Sequence, residues 1–367
     1  MTVSEHRTVT TEQAKRLITK CFDKKRPVFL WGPPGIGKSE VVASIAEEQK
    51  GLMIDLRLAQ MEPTDLRGIP YYNKDNGLMD WAPPIDLPDE ELASQHPVVV
   101  LFLDEMNSAA PSIQAAAYQL ILNRRIGKYK LPDNVVVIAA GNRESDKGVT
   151  YRMPAPLANR FLHLEMRVDH PSWETWATLN RIHKDVVGYI GFAKQDLYDF
   201  DPRSSSRSFA TPRSWTFVSE ILSDEDVNES DLTDLVAGAV GEGVAVKFMA
   251  HRKVSGHLPL PINVLTGKEK ELKVKEISAM YSLTVSLCYE LQDNLVKIGN
   301  KPDAEWHSMA DNFFRYMMDN FTTELTVMGA RTALITYNLP FVPGKLKNFD
   351  EFHKRFGKYI VAGNSGR

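Results

Sequence analysis

The sequence predicts an α/β fold: a parallel sheet sandwiched by helices, followed by an all-helical lid and a helical C-terminal extension. Three observations carry this expectation. Residues 28–31, 52–56, 98–103, 135–140 and 161–166 form short runs, mostly continuously apolar, as strands covered on both faces must be. Helical stretches, 39–49 and 112–122 among them, alternate with these strands, and a repeating βαβ order makes the sheet parallel. After about Arg167 the strand signal fades, and helices are expected over 173–191, 212–222, 232–249, 276–297 and 303–321.

Composition narrows the class. A chain of 367 residues has room for two or three modest domains. With 43% apolar and 25% charged residues it reads as an ordinary globular protein. The net charge of -3 gives no global bias toward nucleic acid and leaves only a local basic patch open. Cys21 and Cys288 stand far apart, outside any CxxC or Cys/His cluster, so they read as buried core thiols rather than a disulfide or metal site. That usage suits a reducing cytosol. Residues 1–16 are polar and mixed in charge, unlike a signal peptide, and the longest apolar run, 98–103, is too short to span a bilayer.

The expected organisation is an α/β nucleotide-binding domain over 1–168, a helical lid over 169–256 and an extension of unassigned role over 257–367. Residues 201–213, rich in Ser and Arg with two prolines, read as a loop within the helical part. Residues 257–275, with Pro259, Pro261, Gly267 and a mixed Lys/Glu run, read as a boundary. Trp306, Met309, Phe313 and Met317 recur every three or four positions and form an apolar stripe, expected to be core.

Chemistry enters at Gly32-Pro33-Pro34-Gly35-Ile36-Gly37-Lys38-Ser39, which matches GxxxxGK[ST] between a predicted strand and a predicted helix. Glycines let backbone N–H groups wrap a phosphate, and the helix N-terminus adds partial positive charge. Lys38 would then reach the β- and γ-phosphates and Ser39 would ligate Mg²⁺, with Glu40 completing the segment. Asp104-Glu105 end a buried strand, where carboxylates face the cleft at its carboxyl edge. Asp104 would hold Mg²⁺ and Glu105 would polarise the attacking water. Asn142 follows the next predicted strand, where an amide can orient that water; alone, Gly141-Asn142 is turn chemistry. Arg160 lies between a short helix and a strand, suited either to reach a neighbouring subunit's γ-phosphate or to neutralise its own helix end; Arg143 and Arg152 are rivals. Arg213 opens a helix, an unfavourable place for a cation unless an outside anion faces it.

Taken in this order, the five elements resemble the AAA+ superfamily, and within it the MoxR-like, dynein-related branch, over about residues 8–252. In family terms Gly32 to Ser39 is Walker A, Asp104-Glu105 is Walker B, Asn142 is sensor 1, Arg160 the arginine finger and Arg213 sensor 2. Glu62-Pro63-Thr64-Asp65-Leu66-Arg67-Gly68 with residues 77–84 looks like the family's insertion in the second helix. Residues 114–127 leading into Leu131-Pro132-Asp133 look like its segment before sensor 1. The stretch 142–153 is longer and more charged than the family's, and residues beyond Gly256 match no family pattern.

The resemblance implies a ring, a hexamer, with ATP and Mg²⁺ at each interface and Arg160 completing the neighbour's site. It implies remodelling of a client protein, in many relatives with a separate von Willebrand factor A domain protein, since this chain has no DxSxS motif. A nucleic-acid motor and a non-catalytic assembly switch are the competing readings. A cytoplasmic setting is expected, in a bacterial or phage-infected cell. The insertion carries Tyr71, Tyr72, Met79 and Trp81, expected to face the pore or a partner unless they pack on their own subunit.

Overall fold

A computed structural model of the chain describes residues 7–146, 150–224, 226–274 and 276–362. The first six residues of the polar N-terminal stretch, the middle of 142–153 and Lys275 of the Lys/Glu run lie outside the described residues. The chain forms two compact units, Met1–Asp169 with Asp201–Ser204, and His170–Phe200 with Ser205–Arg367.

The first unit is built on six parallel strands: β1 (Thr8–Val9), β2 (Val28–Trp31), β3 (Leu52–Arg57), β6 (Val99–Asp104), β9 (Val135–Gly141) and β10 (Leu162–Met166), in the order β1-β10-β2-β9-β6-β3. Two hairpins supply the remaining strands, β4 (Ile69–Asn73) with β5 (Leu78–Ala82), and β7 (Arg125–Ile126) with β8 (Tyr129–Lys130). All residues of β9 are buried, and so are Val99 to Leu103 of β6, as their unbroken apolar runs require. Successive side chains alternate faces. Phe29, Leu101, Leu103, Val137 and Ala139 share one core with α5 (Pro111–Asn123), while α1 (Thr11–Phe22) and α2 (Lys38–Glu48) pack on the sheet as well. Thr10 and Gln13 form a reciprocal capping box that starts α1.

The strand order puts the functional loops together. From β2 the chain runs to β3, returns through β6 and β9, then crosses to β10 on the other side of β2. The direction therefore reverses beside β2, and a crevice opens there at the carboxyl ends of the strands.

The second unit is helical, and two expected helices are each broken in two. Residues 173–191 divide into α7 (His170–Leu179) and α8 (Lys184–Phe192), with Arg181 between them at φ 53°. There His183 donates its backbone N–H to Ser219 Oγ at 2.7 Å and accepts the N–H of Asp185 on its ring, so a tertiary bond and a cap replace helical bonds. Residues 232–249 divide into α10 (Glu229–Val240) and α11 (Glu242–Ser255) at Gly241, whose φ of 88° favours glycine. A Cβ there would also lie 3.1 Å from the Ser208 carbonyl oxygen.

Trp215 of α9 (Pro212–Leu222), Tyr189 of α8 and Phe248 of α11 meet edge-on or tilted at 5.4–5.6 Å. Beyond them, α13 (Ile277–Lys297) and α14 (Ala304–Asn320) build a second core that includes Trp306, Met309, Phe313 and Met317, as the stripe predicted. The region read as a boundary contains a short helix, α12 (Pro261–Leu265), whose Val264 and Leu265 are buried in that core. Cys288 is buried, but Cys21 is only half-buried near the end of α1, so the core expectation fails for Cys21. No helix among the described residues is long and apolar enough to cross a membrane.

Candidate functional site: a phosphate loop at the sheet's crevice

Residues Gly32 to Gly37 form the loop between β2 and α2. Gly35 and Gly37 sit at φ 73° and 86°, where a Cβ would be strained. Gly37 is the N-cap of α2 and offers no side chain to its first turn, which leaves the helix N-terminus uncapped by side chains. Ile36 is buried and anchors the loop, Pro33 is buried, Pro34 half-buried, and Glu40 is exposed on the first turn of α2. Gly32 meets a different constraint: a Cβ there would lie 2.6 Å from Ile36 Cδ1 and 3.2 Å from the Met166 carbonyl oxygen.

Several of the expected residues are joined by hydrogen bonds. Lys38 Nζ donates to Asn142 Oδ1 at 3.0 Å and to the carbonyls of Gly32 and Pro33 at 2.8 and 3.0 Å. Ser39 Oγ donates to Asp104 Oδ2 at 3.2 Å. The other oxygen of Asp104 accepts the backbone N–H of Glu105 at 2.8 Å. Glu105 itself has φ 53°, a left-handed conformation that costs a non-glycine residue roughly 1 kcal/mol or more. The chain turns sharply here as it leaves β6, directly beside the phosphate loop.

Asp55 on β3 is neighbour to this pair. Burial raises its carboxyl pKa above the usual range, and the charges of Asp104 and then Glu105 push the same way, against Arg57. Three carboxylates thus crowd one edge, and a divalent cation would relieve them. Among the described residues no group of three or more His, Cys, Asp or Glu could by itself hold a metal. The donors present fit Mg²⁺, which keeps water and phosphate ligands and takes few from protein. Ser39 Oγ and Asp104 Oδ2, 3.2 Å apart, match the separation of roughly 3 Å between adjacent ligands on an octahedral ion with bonds of about 2.1 Å.

Sequence reading missed Asn107, three residues past Asp104 and buried. Its Nδ2 donates to the Asn142 carbonyl at 2.7 Å, and its own carbonyl accepts from Tyr151 N–H at 2.6 Å. Oδ1 of Asn107 has no hydrogen-bond partner and lies against Gly141, where a Cβ would come within 2.1 Å of it. Glycine at 141 is therefore a matter of space: it admits the side chain that fixes Asn142. Met106 N–H to the Ala140 carbonyl, 2.9 Å, closes the same junction. The only sequence signal available was an amide close behind the two carboxylates.

The arginines separate. Arg143 is engaged at home: it bonds the buried Asp146 at 2.8 Å and Glu165 at 3.4 Å, and the Asp146 bond raises its pKa further. Arg160 is exposed, two residues past α6 (Ala155–Ala158), and Arg152 is exposed nearby in sequence. Arg213 is exposed as the second residue of α9 in the helical unit, behind a Thr211–Ser214 capping box.

Comparison with known proteins shows the following similarities. Residues 28–165 match the family described as ATPase family associated with various cellular activities, AAA. Midasin of Giardia intestinalis is 27% identical over 181 residues, which is 47% of this chain and 4% of that protein. The chain therefore spans a small fraction of that relative. Among solved structures, a RuvB mutant of Thermotoga maritima has a TM-score of 0.38 at 16% identity, covering 84% of this chain and 88% of its own. NtrX of Brucella abortus in complex with ADP has a TM-score of 0.38 at 14% identity, covering 78% and 65%. The match to that family covers less than half of the chain, the stretch from β2 to β10 that holds the phosphate loop, Asp104-Glu105, Asn142 and Arg160.

Proposed function

We propose that the chain is a subunit of an ATP-hydrolysing ring, hexameric and MoxR-like, that remodels a partner protein. The observation that carries the motor reading is the bonded set Lys38–Asn142 and Ser39–Asp104 at the crevice, with Arg160 exposed in the same unit. When bound, ATP supplies the phosphoanhydride bond and Mg²⁺ the positive charge beside it. Lys38 and the loop N–H groups bind the phosphates, while Ser39 and Asp104 hold the ion. Glu105 accepts a proton from the attacking water, which Asn142 orients. Arg160 of the adjacent subunit stabilises the charge that develops on the transferred group. Residues 169–256 would serve as the lid and residues 257–367 as an extension.

Partner remodelling is supported by the β4–β5 hairpin, where Tyr72 is 65% exposed, Met79 69% and Leu78 64%. Apolar groups so presented mark an interaction surface. Its Asp80 instead bonds Lys128 at 2.6 Å, which holds that carboxyl below its usual range.

Subunit mixing tests the ring. Lys38→Ala and Arg160→Ala are each expected to be inactive. Mixed at equal amounts, they should recover about a quarter of wild-type turnover, because each head-to-tail interface needs one intact loop and one intact finger from different chains. No recovery from two soluble, folded variants would overturn the trans role of Arg160.

A further inference from the structure

Trp31 is the last residue of β2 and directly precedes Gly32 of the phosphate loop. Its indole Nε1–H donates to His163 Nδ1 at 2.8 Å. On the other side of the ring, His163 Nε2 lies 2.8 Å from the Ala158 carbonyl, the C-terminal residue of α6. An indole nitrogen can only donate and a carbonyl can only accept. The imidazole is therefore neutral, with its proton on Nε2, and both nitrogens are used. The two rings lie nearly coplanar, edge to edge across this bond, with centroids 6.0 Å apart and planes at 24°. Phe29 and Phe161 complete the cluster: Phe29 lies 4.2 Å from Trp31 and Phe161 meets Phe29 edge-on at 5.3 Å.

The topology explains why this matters. β10 and β2 pair in parallel, with His163 opposite Phe29. Arg160 occupies the short stretch between Ala158, which accepts from both the imidazole and the Phe161 N–H, and Phe161, which packs on Phe29. One end of the relay is thus covalently adjacent to the loop that binds phosphate. The other end fixes the carbonyl two residues before the exposed guanidinium.

We propose that His163 is a positioning residue that ties the phosphate loop to the segment bearing Arg160, so that a change in one is felt by the other. The inference rests on Arg160 acting on a neighbouring subunit. His163 touches neither nucleotide nor reacting atoms. Its effect is to hold the finger segment in register with the loop of its own chain, coupling successive sites around a ring. A neutral imidazole suits this role because it accepts on one side and donates on the other; phenylalanine keeps an aromatic ring and loses both bonds.

The test is a double-mutant cycle on the full chain with His163→Phe, Trp31→Phe and the pair, reading kcat and KM for ATP and the melting temperature. Each single variant is expected to lower kcat between about tenfold and a hundredfold, as misplacement of a catalytic group does, with KM for ATP within about twofold of wild type. The pair should be no worse than either single variant, since all three break one chain of bonds. Unchanged kcat in folded His163→Phe would overturn the proposal. So would strictly multiplicative losses in the pair, or a loss seen in KM alone. Trp31→Phe retains an aromatic ring beside Phe29 and decides the matter if His163→Phe does not fold. Arg160→Ala, run alongside, separates the two readings: if it stays fully active, the finger assignment fails; if it is inactive while His163→Phe is normal, only the relay fails.

Discussion

Asn107→Asp is a near-isosteric change with a large expected consequence. In the native chain the Nδ2 group donates to the Asn142 carbonyl at 2.7 Å, from a residue only 2% exposed. An ionised aspartate would set one oxygen against another at that distance and bury a charge. Losing the bond and leaving the carbonyl unpaired costs about 1–3 kcal/mol before the charge is counted. The alternative is to keep the new carboxyl protonated, so that its O–H donates to the same carbonyl. From an ordinary carboxyl pKa near 3.9, this costs about 1.4 kcal/mol for each pH unit above it. The sign follows: the folded variant binds a proton that its unfolded chain releases, so its stability relative to wild type falls as pH rises above about 4 and recovers on acidification. At pH 7.5 a loss of about 2–5 kcal/mol is expected, levelling off where the carboxyl ionises and the loop shifts instead. Turnover should drop roughly a hundredfold, because Asn142 also accepts from Lys38 and moves with its backbone. Thermal unfolding from pH 5.5 to 8 and steady-state ATP hydrolysis read both effects. A variant as stable and active as wild type at pH 7.5 would refute the claim that Asn107 holds Asn142 in place.

Two further outcomes are expected. Deleting residues 71–81 should leave basal ATP hydrolysis within about twofold while abolishing remodelling of the partner, since those residues present apolar side chains outward; loss of nucleotide binding would refute it. In the helical unit, burial beside Tyr189 and Phe192 pushes the His251 imidazole down to about 4. Its unfolded counterpart, near 6.5, binds a proton first, so stability should rise by about 3 kcal/mol from pH 4 to pH 6.5 and flatten above. His251→Phe should flatten that slope, and an unchanged slope would assign it to other groups.

Much of the nucleotide-binding unit was legible because its signals are local. Continuous apolar runs mark buried parallel strands, and the phosphate loop needs glycine at Gly35 and Gly37 for backbone reasons alone. Asp104-Glu105 declared themselves by ending such a run. What escaped depends on contacts remote in sequence. Asn107 reaches a partner 35 residues away, and Trp31 one 132 residues away. The break at residues 180–183 has neither Gly nor Pro; Ser219, on another helix, accepts the backbone N–H of His183 where the second helix begins. Gly241 was visible, yet a glycine within an apolar helical pattern is often tolerated, and only its φ shows that the chain turns there.

The arginines show how a folded arrangement can decide what spacing alone leaves open. Arg143, Arg152 and Arg160 all lie downstream of Asn142, and any of the three could in principle reach an outside phosphate. Arg143 is bonded to a buried aspartate and to Glu165 on β10, so releasing it would strand Asp146 without its cation. Asp146 is buried, and leaving its carboxylate without that bond costs about 1–3 kcal/mol or more, at least what a charge-assisted bond to a ligand would return. Arg143 therefore stays where it is, and its role is to brace the loop after Asn142 against the sheet. In the proposed ring, the trans role would fall to an exposed guanidinium. Of the two, Arg160 sits on a segment pinned at both ends, by the Ala158 carbonyl and by Phe161. A cation held on a braced segment loses less freedom when it engages a neighbour's phosphate, and that economy of entropy favours Arg160 over Arg152.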